Sequence, residues 1–281
     1  MNIRAPAACR WGRPRAEGAP RRRPPRTRLR TLLAPLLVLL LGARPAAGME
    51  LPELVERSKP AVVGVGTWLP TRRPPSSLTG TGFVVGDGDL VITNAHVVGD
   101  GPDSALLENL VVFTGRGRTG RAHRVDLAAR DDEHDLVLLR LQGDTRLPTL
   151  VLGRDENVRE GQRIAFIGFP IGAVLGLYPA THTGIVSAIS PIANPARSAG
   201  ELTPAMIERL ANPFNVFQLD ATAYPGNSGS PVLDPATGEV VAVINQVYVK
   251  GSKENVLKDP SGISYAVPIR HARELLRSLA P

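Results

Sequence analysis

The chain has 281 residues, 43% of them hydrophobic, enough to bury a sizeable core in one large or two small domains. A formal net charge of +7 has the look of a nucleic-acid binder, but residues 1–48 hold 11 Arg, no Lys and one acid, Glu17. Beyond them remain 22 basic and 25 acidic residues, a net of −3, and no nucleic-acid partner is expected.

The first 48 residues run Arg-rich to Arg30, apolar from Thr31 to Gly42 ("TLLAPLLVLLLG"), then small ("ARPAAG"). That is the order of a secretory signal peptide, and 12 apolar residues are too few to cross a bilayer as a helix. Removal of this leader (1–48) near Ala47 or Gly48 is expected, with export to a periplasm and no membrane span in the mature chain. Cys9, the single cysteine, lies in the leader, so nothing beyond it can form an internal disulfide or a thiol-based metal or redox site. A disulfide-free exported protein suits a periplasm better than an extracellular fluid.

From residue 49 onward, Leu51, Leu54 and Val55 fall at helical spacing before Pro60 stops the pattern. Short apolar runs follow: "AVVGVGTW", "GTGFVVG", "DLVIT", "NLVVF", "HRVDLAA", "LVLLRL", "RIAFIG", "HTGIVSAI", "NVFQLD", "SPVLD", "EVVAVINQVYV" and "GISYAVP". Their shortness and β-branched content favour strands over helices. About a dozen strands between Gly, Pro, Asn and Asp turns predict an all-β fold, a sandwich or a pair of barrels. Strand density breaks once, at residues 190–214, where a short helix is predicted from Pro204 to Leu210 with Thr203 as its N-cap. A closing helix is predicted over 269–279, with Ile269, Ala272, Leu275 and Leu276 in one apolar stripe. No internal repeat is visible.

Three stretches carry chemistry: "VITNAHVV" with His96, "EHDLVLLRL" with Asp135, and "AYPGNSGSPV" with Ser228. A serine hydroxyl is a poor nucleophile until a base takes its proton. Imidazole does so, and a carboxylate fixes its tautomer. The order His, Asp, Ser differs from the Ser, acid, His of α/β-hydrolases, and the G-x-S-x-G elbow fails because position 230 is Ser. Taken alone, Pro225 to Gly229 also fits an ordinary tight turn. His134 is expected to point away from Asp135 along an extended chain. His123, His182 and His271 have no partner motif and read as structural or surface residues. "GTGFVVG" lacks phosphate-loop spacing, and Arg116, Arg118 and Arg121 read as a solvated loop. No metal and no cofactor are expected.

Residues from about 50 to 270 resemble the trypsin-like protease domain of the HtrA (DegP/DegQ) family, through "GTGFVV", "VITNAHVV", "HDLVLLRL", "GFPIG", "GIVSAI", "QLDA", "PGNSGSPV" and "ISYAVP". The resemblance implies two six-stranded antiparallel β-barrels, roughly 60–145 and 146–268, within a protease domain over 49–281 that has a short N-terminal and a C-terminal helix. It makes His96 the general base and Ser228 the nucleophile. Asp135 becomes the orienting carboxylate, since it alone among its acidic neighbours directly precedes the strand as the family pattern requires. The N–H groups of Gly226 and Ser228 become the oxyanion hole. In such a site the Ser228 hydroxyl is expected within about 3.5 Å of a His96 ring nitrogen.

The implied activity is that of a serine endopeptidase acting on unfolded or exposed polypeptide segments. The residue six positions before the nucleophile, Thr222, lies at the base of the substrate pocket in trypsin-like barrels. With it, Ala223, Tyr224 and Asn245 are assigned to that pocket. An Arg buried there would lack a counter-charge, at a cost of several kcal/mol. Small or medium apolar residues such as Val, Ala or Leu are therefore expected before the scissile bond. The sequence departs from the family at Ser230, where Gly is usual. It ends at Pro281 without the PDZ domain of typical members, so control through such a domain is expected to be absent, and the family's trimers are left open. The 190–214 insert falls where the family has a regulatory loop, and a plain surface excursion is the alternative. Two other classes fit the same residues: a non-catalytic peptide-binding double barrel, and an esterase with the same triad.

Overall fold

The computed structural model describes residues 49–101, 108–171, 176–191, 213–245 and 262–279. The leader at 1–48, the helix predicted at 204–210 and most of the 190–214 insert lie outside the described residues. The chain enters through helix α1 (Leu51–Ser58), with Pro52 in its first turn where no N–H is needed, Glu53 near its positive end and Arg57 near its negative end.

Among the described residues twelve strands follow. β1 (Val62–Trp68), β2 (Ser76–Val85), β3 (Leu90–Asn94), β4 (Asn109–Thr114), β5 (Arg121–Asp131) and β6 (Leu136–Leu141) close into one barrel in the order β1-β2-β3-β6-β5-β4. β7 (Arg163–Gly168), β8 (Ala180–Pro191), β9 (Asn215–Asp220), β10 (Pro231–Leu233), β11 (Val240–Asn245) and β12 (Ile263–Pro268) close into a second, β7-β8-β9-β12-β11-β10. Every pairing between these strands is antiparallel. The second order is the first moved on by six strands, a topological repeat with no counterpart in sequence. Helix α2 (Ile269–Arg277) ends the described chain.

The fold explains the runs that periodicity could not resolve. In β6, Val137 and Leu139 point into the first barrel, whereas Leu136 and Leu138 face the second. Only Arg140 of that strand is exposed, so "LVLLRL" loses the alternation of a half-buried strand because both faces are covered. The inter-barrel layer joins Phe83, Ile92 and Leu138 to Ala165, Ile167, Phe169 and Val243. Ile269, Ala272 and Leu275 of α2 and Leu54 of α1 cover it. α2 starts at Pro268 with no capping side chain of its own. Asp155 substitutes from outside the helix: its carboxylate accepts the Arg270 N–H at 2.9 Å and pairs with the Arg270 guanidinium.

Candidate active site

In the first barrel the site grows from two strand ends. β3 and β6 pair Asn94 with Leu136, which sets the residues just beyond these ends side by side. His96 lies on the single helical turn Ala95–Val98 after β3, and Asp135 lies in the turn that leads into β6. The Asp135 main-chain oxygen accepts from the Ala95 N–H and from Asn94 Nδ2, each at 3.0 Å. Its Oδ1 accepts the His96 N–H at 2.8 Å. Its Oδ2 accepts His96 Nδ1–H at 2.6 Å and Asn245 Nδ2–H at 2.9 Å. These five donors hold Asp135 at φ +55, a left-handed backbone that aspartate tolerates better than most residues. With Nδ1–H committed to the carboxylate, His96 keeps a lone pair on Nε2, the arrangement of a general base.

The backbone there turns instead of extending, so the geometric reason expected for His134 does not hold. His134 turns away because Asp131 captures it, Oδ1 taking its N–H at 3.0 Å and Oδ2 its Nδ1 at 2.7 Å. The His134 ring then stacks on His271 of α2, with centroids 3.7 Å apart and planes at 18°. Burial, the facing His134 and Arg270 push the His271 pKa down to about 4. Burial alone would raise the Asp131 carboxyl, yet its bonds from His134 hold it below the usual value. His182 stacks on Phe166 at 4.6 Å, and burial lowers its pKa. His123 meets Thr114 Oγ1 at 2.9 Å and is lowered by burial and by Arg121. Among the described residues no group of three or more His, Cys, Asp or Glu side chains could hold a metal.

The second barrel contributes the turn between β9 and β10. Its carbonyls are engaged in sequence: Pro225 O by the Ile171 N–H (2.7 Å), Gly226 O by Thr81 Oγ1 (2.6 Å), Asn227 O by the Ser230 N–H (3.0 Å) and Ser228 O by the Thr81 N–H (2.9 Å). The Asn227 N–H donates to Tyr224 O and the Gly229 N–H to Ile244 O, each at 2.9 Å. Between Pro225 and Ser230 the N–H groups of Gly226 and Ser228 have no acceptor among the described residues, while those of Asn227, Gly229 and Ser230 are engaged. Gly226 has φ +99, and a Cβ there would stand 2.3 Å from Phe169 O, so only glycine fits.

The two parts meet at Gly80 of β2, where a Cβ would lie 2.7 Å from Val97 and 3.1 Å from Ser228 O. The missing side chain lets the serine turn rest against the segment that carries His96. The Ser228 hydroxyl, on a residue 5% exposed, makes no hydrogen bond to the His96 ring among the described residues. Such bonds are often long or misaligned before substrate binds and tighten with it. Behind the turn, the Asn227 amide and the Ser230 hydroxyl are buried without partners among the described residues. Ser230 is accommodated because residue 168 is glycine: a Cβ at 168 would lie 2.1 Å from Ser230 Oγ.

Of the residues assigned to the substrate pocket, Thr222 and Tyr224 are half-buried and Ala223 is buried. Their segment is tied down by Ser264 of β12, whose hydroxyl accepts the Ala223 N–H at 2.9 Å and donates to Ala221 O at 2.5 Å. Asn245 is buried, with its amide on Asp135. Asp220 is exposed at the end of β9, beside Arg163 and Ile185. The structure gives roles to Thr81, Asn94 and Ser264, which stand inside "GTGFVV", "VITNAHVV" and "ISYAVP" with no role assigned: each is a small polar residue in a strand, where a hydroxyl or amide is easily taken for a filler of the pleat.

The family model of the trypsin-like peptidase domain matches residues 80–243. Serine protease HTRA1 of Xenopus tropicalis is 32% identical over 227 residues, covering 80% of this chain and 42% of that protein. Serine protease HTRA2, mitochondrial, of Bos taurus is 32% identical over 86% of this chain and 46% of its own. A probable periplasmic serine endoprotease, DegP-like, of Halomonas elongata is 30% identical over 71% of this chain and 35% of its own. The chain therefore spans less than half the length of these relatives. A solved HtrA-type protease, AlgW with a tripeptide, superposes with a TM-score of 0.56 at 28% identity, covering 80% of this chain and 62% of that one.

Proposed function

Because the chain belongs to the trypsin-like peptidase family, with HtrA-type relatives, we propose that it is a serine endopeptidase working through Ser228, His96 and Asp135. The observation that carries the proposal is the His96–Asp135 pair beside a serine turn whose Gly226 and Ser228 N–H groups have no acceptor among the described residues. Ser228 Oγ attacks the scissile carbonyl while His96 Nε2 takes its proton, and Asp135 Oδ2 stabilises the imidazolium through Nδ1–H. The two N–H groups take the negative charge that develops on the carbonyl oxygen, in a place prepared before the charge appears. His96 then returns the proton to the leaving amine, and a water molecule, deprotonated by the same nitrogen, releases the acyl group.

The substrates are exposed or unfolded polypeptide segments, with small or medium apolar residues before the cleaved bond. Thr222 supports this, since no acid lies in the 221–224 segment and Asp220 is exposed on the barrel. Selectivity is modest, as one methylene in an apolar pocket is worth about 1–3 kcal/mol. The Arg-rich leader and a periplasmic relative support export. Among the described residues no helix is long and apolar enough to cross a membrane.

A fluorophosphonate probe tests the reaction. It should label the parent on Ser228 and leave Ser228→Ala unlabelled, and casein should be cut only by the parent. Labelling or casein cleavage that survives in the alanine variant would sink the assignment. Mass spectrometry of a digested unfolded protein tests the pocket, and a majority of cuts after Lys or Arg would overturn it. N-terminal sequencing from the native host tests export, which a mature chain still starting at Met1 would refute.

A further inference from the structure

We infer that Thr81, on β2 of the first barrel, is a positioning residue for acyl transfer: its hydroxyl fixes the Gly226–Asn227 peptide so that the Gly226 and Ser228 N–H groups stay presented to the reacting carbonyl. The inference rests on the serine-peptidase function proposed above. Thr81 is fully buried, and all its polar groups are used. Its hydroxyl donates to Gly226 O at 2.6 Å and accepts the Phe169 N–H at 3.0 Å, which leaves its one proton a single direction. Its own N–H donates to Ser228 O at 2.9 Å, and its carbonyl accepts from Thr93 Oγ1 at 2.6 Å. A single residue thus holds the carbonyls of both residues whose N–H groups remain open.

Peptide units are rigid planes, so fixing a carbonyl fixes the plane that contains it. The Pro225–Gly226 plane is held by Ile171, and the Gly226–Asn227 plane by Thr81 at one edge and Tyr224 O at the other. Between them stands a glycine at φ +99, the residue least able to resist rotation by itself. The Thr81 hydroxyl restrains that rotation. Preorganised donors lower the barrier because they need not reorient as charge develops. A strand interior alone does not require this residue: valine has the same shape and suits a buried strand at least as well. What valine lacks is the proton that reaches Gly226 O.

The test compares the full chain with Thr81→Val, Thr81→Ala and the conservative Thr81→Ser. Three quantities are measured: kcat and KM on fluorescently quenched casein, the fluorophosphonate labelling rate, and thermal unfolding. Loss of the hydroxyl should lower kcat and the labelling rate about 10- to 100-fold with KM within about twofold, while serine restores both to within about threefold. Alanine is read beside valine so that one misfolded variant does not decide the matter. Folded valine or alanine variants with parental kcat would overturn the inference. So would a serine variant as slow as valine, or a valine and alanine pair that both fail to fold, since the hydroxyl would then hold the fold and not the turn. A parent that is never labelled overturns the proposed function and this inference with it. A labelled parent with equally fast hydroxyl-free variants overturns the inference alone.

Discussion

The first barrel presents its share of the site as side chains, the second chiefly as backbone. His96 and Asp135 sit at the ends of β3 and β6 and are fixed by bonds from Asn94, Ala95 and their own N–H and carboxylate groups, all within one barrel except for Asn245. The β9–β10 turn offers one hydroxyl and two N–H groups, and it is held from the other barrel through Thr81. Equal strand order therefore does not mean equal roles. A side chain can be aimed by its own strand, whereas a turn with a glycine at its centre needs a restraint from outside.

Substitutions at each side sharpen that contrast. The largest effect is expected for Asp135→Asn, which keeps the shape but sets an N–H against His96 Nδ1 and so favours the wrong tautomer. Turnover of casein should fall about 10⁴-fold with the fold intact. A fall of less than tenfold would mean that the first barrel's pairing is not what activates the serine. Next comes Gly226→Ala, whose Cβ collides with Phe169 O at 2.3 Å and forces the turn to move. Loss of one oxyanion donor lowers kcat about 10²- to 10³-fold, and steady-state kinetics on the folded variant reads it directly. An alanine variant with parental kcat would show that the turn does not need its present backbone.

Asn245→Ala crosses the division, because it removes the one second-barrel donor to the Asp135 carboxylate. A bond to a charged group is worth about 1.5–3 kcal/mol, so a drop of at least about tenfold in kcat is expected, with KM little changed. An unchanged kcat would show that the first barrel orients Asp135 unaided. The smallest effect concerns stability and pH. His271 has a folded-state pKa near 4 against 6.5 for the free group, so between these values the unfolded chain binds a proton that the native one refuses. Stability should therefore fall as pH drops from 6.5 toward 4, and His271→Phe should flatten part of the slope in urea midpoints. His182 and His123, also lowered, add to this slope, while Asp131, held below 3.8, loses its contribution only in stronger acid. A slope unchanged by the substitution would place the acid sensitivity elsewhere.

The same contrast governs what could be read from the chain. An all-β fold was legible in short β-branched runs between turn residues, which leave a sandwich or a pair of barrels, and the resemblance to the trypsin-like domain decided between the two. The barrels' equal topology was not, because "LVLLRL" and its counterparts record burial on both faces and not a repeat. His96 and Asp135 stand in local motifs, and their contact follows from one strand pairing, Asn94 with Leu136. The restraints on the serine turn were hidden for a physical reason. Thr81 meets Gly226 across 145 positions and Phe169 across 88, and a threonine inside a strand looks like any other β-former. The His134–His271 stack is hidden in the same way, since the two rings are 137 positions apart and meet only where α2 packs.

The distance between Thr81 and Gly226 also has a meaning in time. A ribosome adding about 5–20 residues per second needs roughly 7–30 s to pass from one to the other, a separation of 145 positions. From Asp135 to Ser228, a separation of 93 positions, the chain carries His96 and its carboxylate with no Ser228 for them to meet. The proposed triad is complete in the chain only when the second barrel's Ser228 has been added. Should that triad be the reacting group, the order of synthesis itself withholds the nucleophile until most of the chain has been made.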